Sequence, residues 1–141
     1  MSGERILVDT SAWITSFKKA GDPDLMEFLK GSIVSGRVVT CPLIVLELIQ
    51  GCRTERERGS LRTQLESLDL LSVTPPVWER AYDLGFSLRR KGVTVPVVDV
   101  VIAAVALEND VLLLHEDRHY ELIVHNETRL RTKSFGSHPS P

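Results

Sequence analysis

Residues 96–107 read Pro-Val-Val-Asp-Val-Val-Ile-Ala-Ala-Val-Ala-Leu, the most apolar stretch in the chain, with one charge, Asp99. A run that is apolar on every side suits an element buried in a core. It is too short to cross a bilayer, which takes about 20 apolar residues. Pro96 fits the first turn of a helix, where its missing N–H costs nothing. The Ala-rich second half favours helix over strand. A lone carboxylate buried there is costly unless it is paired, hydrogen-bonded or bound to a cation. No basic residue lies within a helical turn of Asp99, and the nearest, Lys91, falls before the proline. Its compensation has to come from elsewhere in the fold, or from something the chain does not encode.

The rest of the chain alternates short strands with helices. Ile6–Val8, 37–40 and 111–114 read as buried strands. Helical patterns follow from Thr10 or Ser11, from Asp22-Pro23 and from Cys41-Pro42 to Gly51. Val77 to Lys91 is amphipathic, with Ala81, Leu84, Gly85 and Leu88 facing inwards, and Gly92 ends it. Residues 121–124 suggest one helical turn, and a last edge strand is expected beyond Thr128. Such alternation argues an α/β fold with a central parallel sheet. At 141 residues and 43% hydrophobic, the chain is long and apolar enough for one domain with a real core. Residues 1–134 are expected to form that domain, and 135–141 a flexible tail.

A net charge of −2 gives no global attraction to nucleic acid, so any polyanion site must be local. Cys41 and Cys52 match neither a zinc spacing nor a redox pair and are expected to be buried, inert thiols. The N-terminus lacks a signal-peptide layout and no long apolar span follows, so no membrane association and a cytoplasmic location are expected.

In open α/β sheets, sites form outside the carboxyl ends of the strands. Asp9 and Asp117 each follow a strand directly. Asp99 falls in the first turn of its helix, where the dipole favours an anion. Glu47 lies in the helix after the second strand. These four acids are expected at one edge of the sheet. Together they repel one another unless protonated or neutralised. Oxygen ligands of this kind suit Mg²⁺ or Mn²⁺, which leave room for substrate phosphate oxygens. Two such ions about 4 Å apart activate a water and stabilise the leaving oxygen of a phosphodiester. An acidic, metal-dependent site acting on phosphate esters is the expected chemistry, with Asp99 within about 10 Å of Asp9 for the acids to share an ion. Residues 53–62 read first as a solvated mixed-charge surface, and a phosphate-contacting patch is the alternative, with Arg53, Arg56, Arg62 and Arg118 as candidate contacts.

The segments Val8-Asp9-Thr10-Ser11-Ala12-Trp13, Leu46-Glu47-Leu48-Ile49-Gln50-Gly51, Asp99-Val100-Val101-Ile102-Ala103-Ala104 and Leu114-His115-Glu116-Asp117-Arg118-His119-Tyr120 resemble, in order and spacing, the PIN-domain ribonucleases. They are similar in particular to the VapC toxins of toxin–antitoxin pairs. The resemblance covers nearly the whole chain. It implies a three-layer α/β/α fold and cleavage of RNA by a Mg²⁺- or Mn²⁺-dependent endonuclease. It also implies a VapB-type antitoxin as partner and a homodimer. By position, Asp9, Glu47, Asp99 and Asp117 match the family's acids, and Ser11, beside Thr10, matches a small polar residue that supports the first of them. One departure stands out. The family's last motif commonly reads Asp-x-Asp-Phe, and here His119 replaces the second acid. His119 is then a neutral ligand, a base or, as the expected reading, a surface residue after a strand end.

Two other functions compete at this level. One is a catalytically weak module of the same fold that binds RNA or an antitoxin. The other is a Mg²⁺-dependent phosphatase with Asp9 as nucleophile. The haloacid-dehalogenase type needs a second Asp two residues later, where this chain has Ser11.

Overall fold

The computed structural model describes residues 3–136. Among them lie five strands and seven helices in one α/β unit. In chain order they are β1 (Ile6–Val8), α1 (Thr10–Phe17), α2 (Pro23–Val34), β2 (Val38–Thr40), α3 (Pro42–Gln50) and α4 (Glu55–Glu66). Then come β3 (Asp69–Leu70), α5 (Pro75–Arg90), α6 (Val97–Asn109), β4 (Leu112–Leu114), α7 (Arg118–Asn126) and β5 (Thr132–Lys133).

All strand pairs are parallel, in the order β3-β2-β1-β4-β5. The chain builds outwards from β1 to β3, then returns to the other side of β1 to lay down β4 and β5. Right-handed crossovers that reverse direction put their helices on opposite faces of the sheet, giving three layers. The reversal makes β1 and β4 neighbours, with Val8 opposite Leu114. The crevice between their carboxyl ends is the topological switch point, where ligands of such sheets bind. The short strands Ile6–Val8 and Val38–Thr40 are buried throughout, as strands covered on both faces must be.

Helix α6 runs through this core, with every residue from Asp99 to Ala106 buried. Pro96 stands one position earlier than the first-turn expectation, as the N-cap with φ −58° and ψ 142°. It still directs the helix, because its ring holds φ near −65° in either place. Helix α5 packs along α6, burying Val77, Ala81, Leu84 and Leu88. Gly92 follows α5 at φ +76°, a left-handed conformation that turns the chain towards Pro96.

Three further sequence expectations change. The single turn expected at 121–124 is a nine-residue helix, α7, because Asp117 caps it three residues before Tyr120 enters the core. Asp9, not Thr10 or Ser11, caps α1 with its side chain. Phe135, expected in the tail, is half-buried against Phe28, with ring centroids 5.5 Å apart. The N–H groups of Phe135 and Gly136 donate to the Glu116 carboxylate at 2.8 and 2.7 Å. The rest of the expected tail, 137–141, lies outside the described residues. Cys41 is buried, and burial pushes its thiol pKa up, as expected of an inert thiol. Cys52, expected to be buried too, is only half-buried, because it lies past the C-cap of α3. Among the described residues no helix is long and apolar enough to cross a membrane.

Candidate active site

The site is assembled by two strand ends and one helix start. Strand β1 ends at Val8, and the Asp9 N–H donates to the Leu114 carbonyl at 2.9 Å, tying it to the end of β4. Asp9 is 4% exposed. Its Oδ2 accepts from the Ser11 N–H at 2.9 Å and from the Ser11 hydroxyl at 2.5 Å. The same hydroxyl accepts from the Glu116 N–H at 2.9 Å. Ser11 therefore clamps the first acid to the loop that leaves β4.

That loop carries Asp117, the N-cap of α7, whose Oδ1 accepts from the His119 N–H at 2.9 Å. The Asp117 N–H in turn donates to Nδ1 of buried His115 at 3.1 Å. Asp99 enters from the first turn of α6, and Nδ1 of His119 lies 3.0 Å from its Oδ2. Nδ1 also lies 3.1 Å from Oδ1 of Asp117. One ligand atom from each of Asp99, Asp117 and His119 falls within a 4.8 Å span.

Asp9 joins this group through Tyr120. The fully buried Tyr120 hydroxyl donates to Asp9 Oδ1 at 2.7 Å and reaches Asp99 Oδ1 at 3.4 Å. Sharing one hydroxyl keeps Asp9 and Asp99 well inside the separation a common ion requires. Glu47 is less closely joined. It accepts from the Thr10 hydroxyl at 2.7 Å, which holds it beside Asp9 but outside the three-residue cluster. It lines a groove of about 780 Å³ together with Ile14, Phe17, Leu48, Arg56 and Leu61.

The electrostatics follow from this crowding. Burial, then repulsion from Asp9 and Asp117, pushes the Asp99 carboxyl up to about 6, while His119 pulls it down. Burial, with the charges of Asp9 and Asp99, raises the Tyr120 phenol well above its usual value, so it stays a protonated donor. The acids are thus met by a phenol and an imidazole, neither of which carries a permanent positive charge. A divalent cation fits the donor set: carboxylate oxygens and one imidazole nitrogen converge where negative charge is under-compensated.

His119 and Tyr120 are the two residues that sequence reasoning placed wrongly or passed over. His119, expected at the surface, points into the acids with 29% of its side chain exposed. Tyr120 stands where the family motif has Phe, and its surplus hydroxyl was a readable signal, since a buried Tyr needs a partner for its O–H. The candidate arginines stay outside the cluster. Arg118 is exposed at the first position of α7, next to Asp117. Arg53 and Arg56 are exposed before and at the start of α4. Arg62 is paired with Glu66 at 3.1 Å on the surface.

This arrangement of acids at the switch point of a parallel sheet can be compared with known proteins. The profile of the PIN domain matches residues 6–125, a span that holds all four acids. The chain belongs to the PIN-domain family. Ribonuclease VapC11 of Mycobacterium tuberculosis is 29% identical over 133 residues, covering 92% of this chain and 98% of that protein. Among solved structures, this PIN domain superposes on DNA-bound VapBC from Salmonella typhimurium with a TM-score of 0.77 at 20% identity, covering 94% of this chain and 98% of the other. VapBC2 from Rickettsia felis, bound to a promoter DNA fragment, gives 0.77 at 15% identity, covering 93% and 98%. These likenesses agree with the three-layer α/β/α fold.

Proposed function

We propose that this PIN domain is a metal-dependent RNA endonuclease that acts as the toxin of a toxin–antitoxin pair. The observation that carries the reading is the convergence of Asp9, Asp99 and Asp117 on one crevice, in a chain related over nearly its whole length to Ribonuclease VapC11. Asp99, Asp117 and Asp9 hold a Mg²⁺ or Mn²⁺ ion, and Glu47 reaches it from the rim. When bound, such an ion activates water and neutralises charge on the phosphodiester. The chain's own part is positional. Ser11 fixes the rotamer of Asp9, and Thr10 fixes that of Glu47. Tyr120 keeps Asp9 and Asp99 at a set separation. Arg118 contacts substrate phosphates beside the acids, and Arg53 does so more remotely. Both act through charge rather than base recognition.

The partner in this reading is a VapB-like antitoxin. The apolar groove lined by Ile14, Phe17, Leu48 and Leu61 supports docking of a protein segment next to Glu47. A homodimer is supported by the exposed row Trp78, Tyr82 and Phe86 on α5, which repeats every four residues along one face. The cytoplasm is the compartment where RNA and antitoxin are both met.

The test is brief expression of wild type and Asp99→Asn, with sequencing of RNA ends, together with cleavage by the purified protein with and without EDTA. New ends should appear with wild type only and vanish with EDTA. Cleavage that survives chelation, or that Asp99→Asn retains, would overturn the reading.

A further inference from the structure

We propose that His119 is itself a ligand of the metal, supplying a nitrogen where the family motif has an acid and turning the centre towards Mn²⁺ over Mg²⁺. The inference rests on the nuclease reading of the same site. Its basis is the geometry of one ring atom. Nδ1 of His119 lies 3.0 Å from Asp99 Oδ2 and 3.1 Å from Asp117 Oδ1. Two neighbouring ligands of an octahedral ion with bonds of about 2.1 Å are about 3 Å apart. Both distances from Nδ1 match that spacing, so the ring nitrogen would stand beside each carboxylate oxygen if all three held one ion.

The ring is also held there. The His119 N–H is fixed by the Asp117 cap at 2.9 Å, which sets the start of α7 and the direction of its second side chain. Asp99 keeps its other oxygen for Tyr120, the kind of outer donor that orients a ligating carboxylate. An oxygen-only shell suits Mg²⁺, whereas imidazole nitrogen favours first-row transition ions, and Mn²⁺ accepts both donor types. Replacing one acid by a neutral ligand also lowers the negative charge of the site by one, which weakens a purely electrostatic hold on Mg²⁺.

A different account of the same contacts makes His119 an internal cation that bridges two carboxylates and competes with the metal. The two accounts predict opposite signs for removal of the ring. The experiment is Mn²⁺ titration of the full-length protein followed by electron paramagnetic resonance, with electron spin-echo modulation to detect ¹⁴N coupled to the bound ion. Calorimetry with Mg²⁺ and Mn²⁺ runs in parallel. Wild type should show imidazole ¹⁴N coupling. His119→Asp should lose it, and its preference for Mn²⁺ over Mg²⁺ should fall by about tenfold or more. His119→Ala should bind Mn²⁺ at least about tenfold more weakly.

Bound Mn²⁺ without ¹⁴N coupling in the wild type overturns the inference and needs no variant to be folded. So does tighter Mn²⁺ binding by His119→Ala. If wild type still cleaves RNA with Mn²⁺ in either case, only the ligand assignment fails. If the folded wild type binds no divalent ion at all, the nuclease reading fails with it.

Discussion

The Tyr120 hydroxyl donates to Asp9 Oδ1 at 2.7 Å across 111 residues of chain, joining the start of α7 to the end of β1 inside the core. Removing only that hydroxyl, in Tyr120→Phe, leaves the ring packing intact and Asp9 short of a buried donor. A bond to a charged acceptor of this kind contributes about 1.5–3 kcal/mol. Urea unfolding with EDTA present should show a loss of that size. Added Mn²⁺ should recover part of it, because the ion supplies the charge compensation the hydroxyl gave.

Asp99 makes the metal-free protein pH-sensitive in an unusual direction. Its carboxyl moves from 3.8 to about 6 on folding. Between those values the folded chain holds a proton that the unfolded chain has released, so this group lowers stability as pH rises. The loss runs from about pH 4 to about pH 6, is on the order of 3 kcal/mol, and persists above that window. Asp99→Asn removes it. With EDTA at pH 7 the variant should therefore unfold at higher urea than wild type, and the gap should close as the pH is lowered to about 4. A wild type that equals or exceeds the variant at pH 7 would contradict the burial and repulsion assigned to Asp99.

Ser11 holds two ends of the site with one hydroxyl, donating to Asp9 and accepting from Glu116. Ser11→Ala should cost about 1–3 kcal/mol, since the Glu116 N–H loses its partner in a part-buried loop. RNA cleavage should drop about 10–100-fold, the usual cost of losing a group that orients a metal-binding carboxylate. Thermal unfolding and single-turnover cleavage on the same preparation check the two effects separately.

Glu47 tests charge against position. In Glu47→Gln the amide oxygen still accepts from Thr10, so the loop between β1 and α1 should be undisturbed and stability within about 0.5 kcal/mol of wild type. Cleavage should nevertheless fall if the carboxylate charge reaches the ion from the rim. Undiminished cleavage by Glu47→Gln would remove Glu47 from the site and leave the cluster of Asp9, Asp99, Asp117 and His119.

Arg118 is an exposed cation that directly follows Asp117 in the chain. Arg118→Ala should raise KM for RNA more than it lowers kcat, and should reduce the salt slope of RNA binding by about one phosphate contact. The slope of log affinity against log salt concentration is the quantity to measure.

Local sequence determined much of this protein. The all-round apolar run had to become the buried helix α6, because no face of it tolerates water. Asp9 and Asp117 had to follow strands, and Pro42, Gly51 and Gly92 had to punctuate helices, because these are properties of a few neighbouring residues. Their order along the chain was also enough to show the PIN-like pattern of acids. The strand order was decided only by the tertiary structure. The reversal that sets β4 beside β1 brings Asp117 to Asp9, and it depends on how whole crossovers pack, not on any local signal. The same holds for His119 and Tyr120. A histidine after a strand end is ordinarily solvated, and a tyrosine one position on is ordinarily core. Here the Asp117 cap fixes the first turn of α7, so that the imidazole meets Asp99 and the phenol meets Asp9. Glu47 shows the converse, since its place in an apolar helix suggested full membership of the cluster, yet the hydroxyl of Thr10 holds it at the rim. The carboxylate of α6, which has no local partner, is met by groups 20 and 21 residues away in sequence. Only folding brings them within hydrogen-bonding distance, because the partner of a buried side chain is chosen by packing rather than by its neighbours in the chain.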